Sequence, residues 1–382
     1  MLLEIKKTLL RKETILVIIV SFVTMMIMTF RDKGVSLHLL KMSWNKTAEY
    51  SDVPLDMAVN RLNQELNSLT AAEIAPDSSQ YQELRLLKSM RECAKAYQDQ
   101  EQMLIRFLMQ IKSSKLSADI PFEERDLAKA INYYNHKRVY VLVNKTSLEF
   151  AVLNIADTYY FDLLFFLVIC TALSTLFTVE YETNMYQITF CSRKGKSALF
   201  FQKLSSGLIC IAVFSFIYTA IEYLTVFIKY GISFRIFFAS VQCSDLYLKC
   251  PYQLNFGELF IINAFTRFIT GASILSLICI ASLLFKKNLL VFLFSLGLSV
   301  ISPLLSILLN QNLKLLLIIK RIGWMHLFVL KDYFTEYDTV NVCGYPVDQL
   351  LLTWLANVSL ITFFFIISYG FYTNLLFRKQ VR

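Results

Sequence analysis

The chain has 382 residues, of which 56% are hydrophobic and only 18% charged, with a mean hydropathy of +0.50. An ordinary soluble domain carries ~25% charged residues, so this composition excludes a disordered, collagenous or disulfide-dense secreted chain and argues against a soluble enzyme. The formal net charge is +9, yet residues 31–158 balance 17 Lys/Arg against 17 Asp/Glu; the excess lies beside apolar runs, which reads as membrane orientation and not as a nucleic-acid footprint.

The first apolar run, Ile15 to Phe30, is short but has no Ala-x-Ala cleavage site, which predicts an uncleaved anchor over 14–30. Residues 31–158 are long enough for a domain of their own, and their pattern is helical. The stretch 78–113 has no Gly or Pro and repeats Leu87, Ala94, Leu104, Leu108 and Ile111 at helical spacing, with Asp77 or Ser78 as its cap. Shorter helices are predicted from Pro54 to Leu69 and from Phe122 to Arg138, and one strand over 140–144. The long apolar stripe reads first as a bundle packing on itself and second as a surface for gripping a partner.

Five further runs complete a set of six spans: Tyr159 to Val179, Leu204 to Ile228, Leu259 to Phe285, Leu289 to Leu309 and Leu350 to Tyr372. Each approaches the roughly 17–25 residues that a helix needs to cross a bilayer. With both termini inside, the inner segments hold 13 Lys/Arg in 51 residues and the short outer loops 7 in 70. That bias predicts cytoplasmic termini and an extracellular domain at 31–158. Residues 313–334 are apolar but broken by Lys320 and Arg321, which predicts an interfacial or re-entrant segment with Trp324 and Tyr333 at the headgroups.

Glu222 and Arg267 fall inside spans at matching depth, which predicts that they approach each other as an intramembrane charge pair. Glu222 stands out as the one clear intramembrane carboxylate, and no repeat relates the spans, so an ion-coupled secondary transporter ranks last. Cys243 and Cys250 lie seven residues apart in one outer loop and can close a disulfide or remain two thiols. No CxxC pair occurs and the three His are scattered, so no metal site is expected. Gly195-Lys196-Ser197 ends like a phosphate-binding P-loop, but Phe190 stands where the first Gly is required and a transmembrane run precedes it, so ATP is not bound there. Nothing in the sequence reads as catalytic, and the chain is not expected to be an enzyme.

The informative stretch is 180–203, between the second and third spans. Glu180 and Glu182 stand at the end of a span; a short amphipathic segment follows, then Arg193 and Lys194, and Lys203 closes the loop. This resembles the loop of type-two ABC exporter permeases, although the family's usual Gly after the acidic pair and Pro before the Arg are missing. In the order of features the whole chain resembles that family: residues 1–13, opening with MLLEIKKTLLRK, as an amphipathic helix on the inner face, six spans, and a large outer domain after the first. The resemblance implies an all-α integral membrane protein, with 159–382 as a five-helix membrane domain. Glu180, Glu182, Tyr186, Arg193, Lys194 and Lys203 would couple it to a separate ATPase subunit. That partner would hold ATP and Mg, with no cofactor on this chain, and a second permease copy or a related permease would complete the pathway. The expected function is ATP-driven export of an amphipathic substrate, with antimicrobial or signalling peptides foremost. The alternative is an ATP-independent receptor or immunity protein that binds a peptide through the extracellular domain.

Overall fold

The computed structural model describes residues 11–30, 37–50, 53–70, 79–113, 121–134, 142–156, 159–183, 195–247, 250, 252, 254–308, 332–335 and 339–374. Among these the chain is all-α but for one hairpin, and five helices are long and apolar enough to cross a membrane. The anchor is α1 (Lys12–Phe30); α2 (Leu37–Tyr50), α3 (Leu55–Thr70), α4 (Ser79–Ser113), α5 (Pro121–Tyr134) and α6 (Lys145–Ala156) follow before the second span. The helices that follow are α7 (Tyr159–Glu182), α8 (Gly195–Tyr230), α9 (Phe256–Phe285), α10 (Asn288–Leu308) and α12 (Gln349–Asn374), with a four-residue turn α11 (Asp332–Thr335) before the hairpin β1 (Thr339–Val342) and β2 (Tyr345–Asp348).

The helices run further than the apolar runs that define them. α8 has 36 residues, about 54 Å of helix at 1.5 Å per residue, far more than a bilayer core requires. Its first turns contain what the sequence places in the loop 180–203, and α7 continues to Glu182, so only 183–194 connect the two helices. The expected span Leu289 to Leu309 falls on the 21-residue α10, which is not among those five helices.

α9 is the central helix. Its buried positions surround the axis, and it packs against α7, α8, α10 and α12. At Gly271 the approach is so close that an added Cβ would lie 2.5 Å from Ile211 Cγ2 on α8 and 3.2 Å from Ile169 Cδ1 on α7. α1 and α12 lie at the rim, with large apolar side chains such as Ile19, Val23, Leu355 and Phe363 exposed. Those faces have the character of a lipid-contacting surface, as an all-α membrane protein requires.

α2–α6 gather over one end of this bundle, termed here the domain end. The apolar face of α3 (Ala58, Leu62, Leu66) and that of α4 (Leu87, Met90, Ala94, Tyr97) repeat at helical spacing and pack together. Of the stripe read from sequence, Leu87 and Ala94 are in this core; Leu104, Leu108 and Ile111, like the caps Asp77 and Ser78, lie outside the described side chains. The same core continues into the bundle through Tyr223, Val226 and Phe227 of α8, Phe256 and Leu259 of α9 and Leu350 of α12.

Two sequence expectations change. Residues 142–144 form no strand; Leu142 and Val143 instead fill the domain core, and the strands occur at 339–348, where a two-residue turn fixes their register. Tyr333 does not sit at a headgroup: it is buried in the core and its hydroxyl lies 3.4 Å from Thr353 Oγ1, because α11 folds back onto the start of α12. The rest of 313–334, like residues 1–10, lies outside the described residues.

Candidate functional site

Two ionic centres occupy opposite ends of the bundle, the first of them buried throughout. At the domain end, Arg267 of α9 reaches between two helices. Its Nη1 donates to Glu222 Oε2 on α8 at 2.6 Å and to Thr219 Oγ1 at 3.0 Å, and its Nε donates to Asp162 Oδ1 on α7 at 2.9 Å. Glu222, Arg267 and Asp162 are 0%, 5% and 6% exposed. The 45 residues between Glu222 and Arg267 are bridged because α8 and α9 are antiparallel neighbours. Sequence reading names those two and misses Asp162, since it counts a single intramembrane carboxylate; the signal was available, because Asp162 lies at the fourth position of an otherwise apolar span.

At the far end, Lys203 of α8 turns inward against α7. Its Nζ lies 2.6 Å from Glu180 Oε2, donates to the Leu176 carbonyl at 2.6 Å and stands 5.7 Å from the centre of the Phe177 ring. Lys203 is only 1% exposed, so it faces its own bundle and is not displayed to solvent. Glu182, two residues on, accepts the backbone N–H of Asn288 at 2.8 Å and thereby caps the start of α10. The two carboxylates and the closing lysine are thus brought together as a clamp on the α7, α8 and α10 termini. Tyr186, Arg193 and Lys194 lie outside the described residues.

Cys243 and Cys250 are both buried in the domain-end core and are carried as thiols rather than as a cystine. The sulfurs turn to different partners: Cys243 meets the hydroxyl of Tyr97, and Cys250 Sγ faces the Tyr252 carbonyl at 3.7 Å. Gln242, between them in sequence, directs its side-chain amide to the Cys250 carbonyl.

The domain itself is fastened to the bundle by polar contacts. Glu149 of α6 accepts from Ser244 Oγ and from the Asp245 N–H, each at 2.9 Å. α5 grips the hairpin that leads into α12: Lys129 Nζ lies 2.8 Å from Asp348 Oδ1, Arg125 donates to the Gly344 carbonyl at 3.1 Å, and its guanidinium covers the Tyr345 ring at 4.4 Å. Within α2–α4, Lys46 meets Glu49, Glu65 and Glu83 at 3.2–3.4 Å. Burial alone would lower the Lys46 ammonium, but hydrogen bonds to Glu65 and Glu49 outweigh it and hold it above its ordinary value.

No protein-family model matches the chain, and no curated protein matches it in sequence.

Proposed function

We propose that the chain is the permease subunit of an ATP-driven ABC exporter that moves an amphipathic substrate, foremost a peptide, with ATP hydrolysed by a separate subunit. In this reading both termini are cytoplasmic and α2–α6 form an extracellular domain, as the Lys/Arg distribution favours. The segment 183–194 would meet the ATPase, and a second permease would complete the pathway.

One observation supports the reading above the others. Glu180 and Lys203, which the family resemblance pairs with ATPase coupling, form an ion pair at 2.6 Å across the stems of the loop, with the lysine buried and the carboxylate partly exposed. A loop anchored this way transmits a push to α7 and α8 as one body, where an unclamped loop would absorb it. Glu182 extends the same linkage to α10. The clamp residues therefore act as positioning groups behind a contact surface supplied by Arg193 and Lys194.

The test is association with an ATPase. The tagged chain, purified from its native membranes in mild detergent, should bring with it an ABC ATPase subunit whose hydrolysis is blocked by vanadate. Arg193→Glu with Lys194→Glu should leave yield and helical content intact, since a solvated loop tolerates charge changes, and should sharply reduce ATPase recovery. Wild-type protein with no bound ATPase would end the proposal; undiminished recovery with the double mutant would reduce the segment to a basic tether.

A further inference from the structure

A helix with apolar side chains all round has no side suited to water, so every face needs cover. The connection from α8 to α9 holds such a helix, the short 3₁₀ helix Phe234–Phe238 with the sequence FRIFF. Its inner side packs on the bundle. Ile236 and the following Ala239 are buried, and the Phe237 ring lies 5.2 Å from that of Phe227 on α8 and 6.1 Å from that of Phe260 on α9. Its outer side is open: Phe234 is 52% exposed and Phe238 75%, the latter the most exposed large apolar side chain among the described residues.

The depth of this helix follows from α9. Gly257, Ile261 and Phe265 recur every four residues and share one face. Ile261 and Phe265 are exposed, and a Cβ added at Gly257 would lie 3.0 Å from the Phe237 carbonyl oxygen, so the 3₁₀ helix crowns an exposed apolar stripe. The exposed apolar side chains of α9 run from Ile261 to Phe285, about 36 Å along the axis and close to the roughly 30 Å of a hydrocarbon core. Gly257 stands one turn, about 6 Å, beyond that edge, which sets Phe234 and Phe238 at the headgroup layer. The backbone there is paired: the Ile236 N–H donates to the Ser233 carbonyl at 3.1 Å, the Ala239 N–H to the Ile236 carbonyl at 2.9 Å, and the Ala239 carbonyl accepts the Phe256 N–H at 3.1 Å.

We propose that the 3₁₀ helix Phe234–Phe238 is a membrane-binding element whose Phe234 and Phe238 rings insert between phospholipids of the leaflet at the domain end of the bundle. Arg235, exposed in the same turn, sets a guanidinium at the level of the phosphates. A bilayer fits this patch better than a protein partner does, because the patch continues the exposed stripe of α9 and lies where that stripe reaches the thickness of a bilayer core. The chain runs on from this helix to Ser244 and Asp245, which hold Glu149 of α6, so insertion also fixes the height of the helical domain above the leaflet. The inference rests on the chain lying in a membrane and not on the exporter reading.

The test is depth-dependent fluorescence quenching of the full-length chain in phosphatidylcholine vesicles. Phe238→Trp is measured beside wild type, so that the difference in emission belongs to position 238. An interfacial apolar face sits roughly 5–10 Å into the boundary of headgroups and acyl chains, so lipid brominated near the headgroup end of its chains should remove about half of that emission or more. Lipid brominated near the chain ends, and aqueous acrylamide, should act more weakly. Phe234→Trp should behave alike and keeps the test open if Phe238→Trp does not fold. Met57→Trp, at an exposed position of α3, should respond to acrylamide and not to brominated lipid. Positions 234 and 238 quenched like position 57 would overturn the proposal, as would shielding from both reagents, which marks a protein contact. Stronger quenching from the chain ends would place the rings in the hydrocarbon core and overturn the interfacial assignment.

Discussion

Cys343 and Gly344 form the two-residue turn of the β1–β2 hairpin, and both have positive φ, 52° and 87°. That is the pattern of a type I′ turn, where Asn or Gly is preferred at the first position and a β-branched residue is strained. Cys343→Asn should be neutral or better, and Cys343→Val should cost about 1–2 kcal/mol, read from thermal unfolding. The same residue separates two thiols that look alike in sequence. Cys343 is exposed, whereas Cys93 is wholly buried and burial pushes its thiol up to about 11. Maleimide added to the folded protein in detergent should therefore label Cys343 and spare Cys93 until the protein unfolds. A second residue-scale test concerns Lys46. Its raised titration means that the contribution of its ion cluster is complete below the ordinary lysine value of about 10.4 and declines as pH rises beyond it. Lys46→Met should destabilise by about 1 kcal/mol at pH 7, and the gap to wild type should narrow by pH 11 in paired unfolding curves.

For the elements, the decisive contacts are those that let α9 sit among its neighbours. A methyl group at Gly271 would strike the Cγ2 of Ile211, a β-branched side chain with little rotamer freedom. Gly271→Ala should cost about 1–3 kcal/mol. Gly297 on α10 and Gly370 on α12 have nothing within 4 Å of an added Cβ, so their Ala variants lose nothing to packing and gain helix propensity of up to ~1 kcal/mol. A fluorescence-detected size-exclusion melt of the three variants should rank Gly271→Ala well below the other two. Equal stability of all three would show that α9 does not pack this closely. The ion pair at the base of α7 and α8 belongs to this scale as well: Lys203 was legible as the end of a basic loop, but only the antiparallel packing of two extended helices turns it inward to Glu180.

Across the whole molecule, the helical domain at 37–156 and the bundle share one hydrophobic core, in which Leu62 and Tyr97 pack with residues that include Phe227, Phe256 and Leu350. Excising α2–α5 and joining α1 to α6 by a polar linker would uncover that apolar end. The shortened chain should give aggregated rather than monodisperse protein in detergent; a well-behaved product would show that the domain is a detachable module. The membrane class, the run of apolar spans and the helical character of 79–113 were determined by the sequence alone, because each rests on local composition and a 3.6-residue period. The approach of Glu222 to Arg267 could also be read, since two charges at equal depth in consecutive antiparallel helices have little else to meet. What only the tertiary structure decided was long-range. Asp162 joins the pair because α7 lies against α8 and α9, 105 residues from Arg267 along the chain. Tyr333, Leu142 and Val143 fill a core where sequence placed a headgroup anchor and a strand. In each case the local pattern allows several arrangements, and the choice is made by which helix faces close on one another and leave no room for the rest.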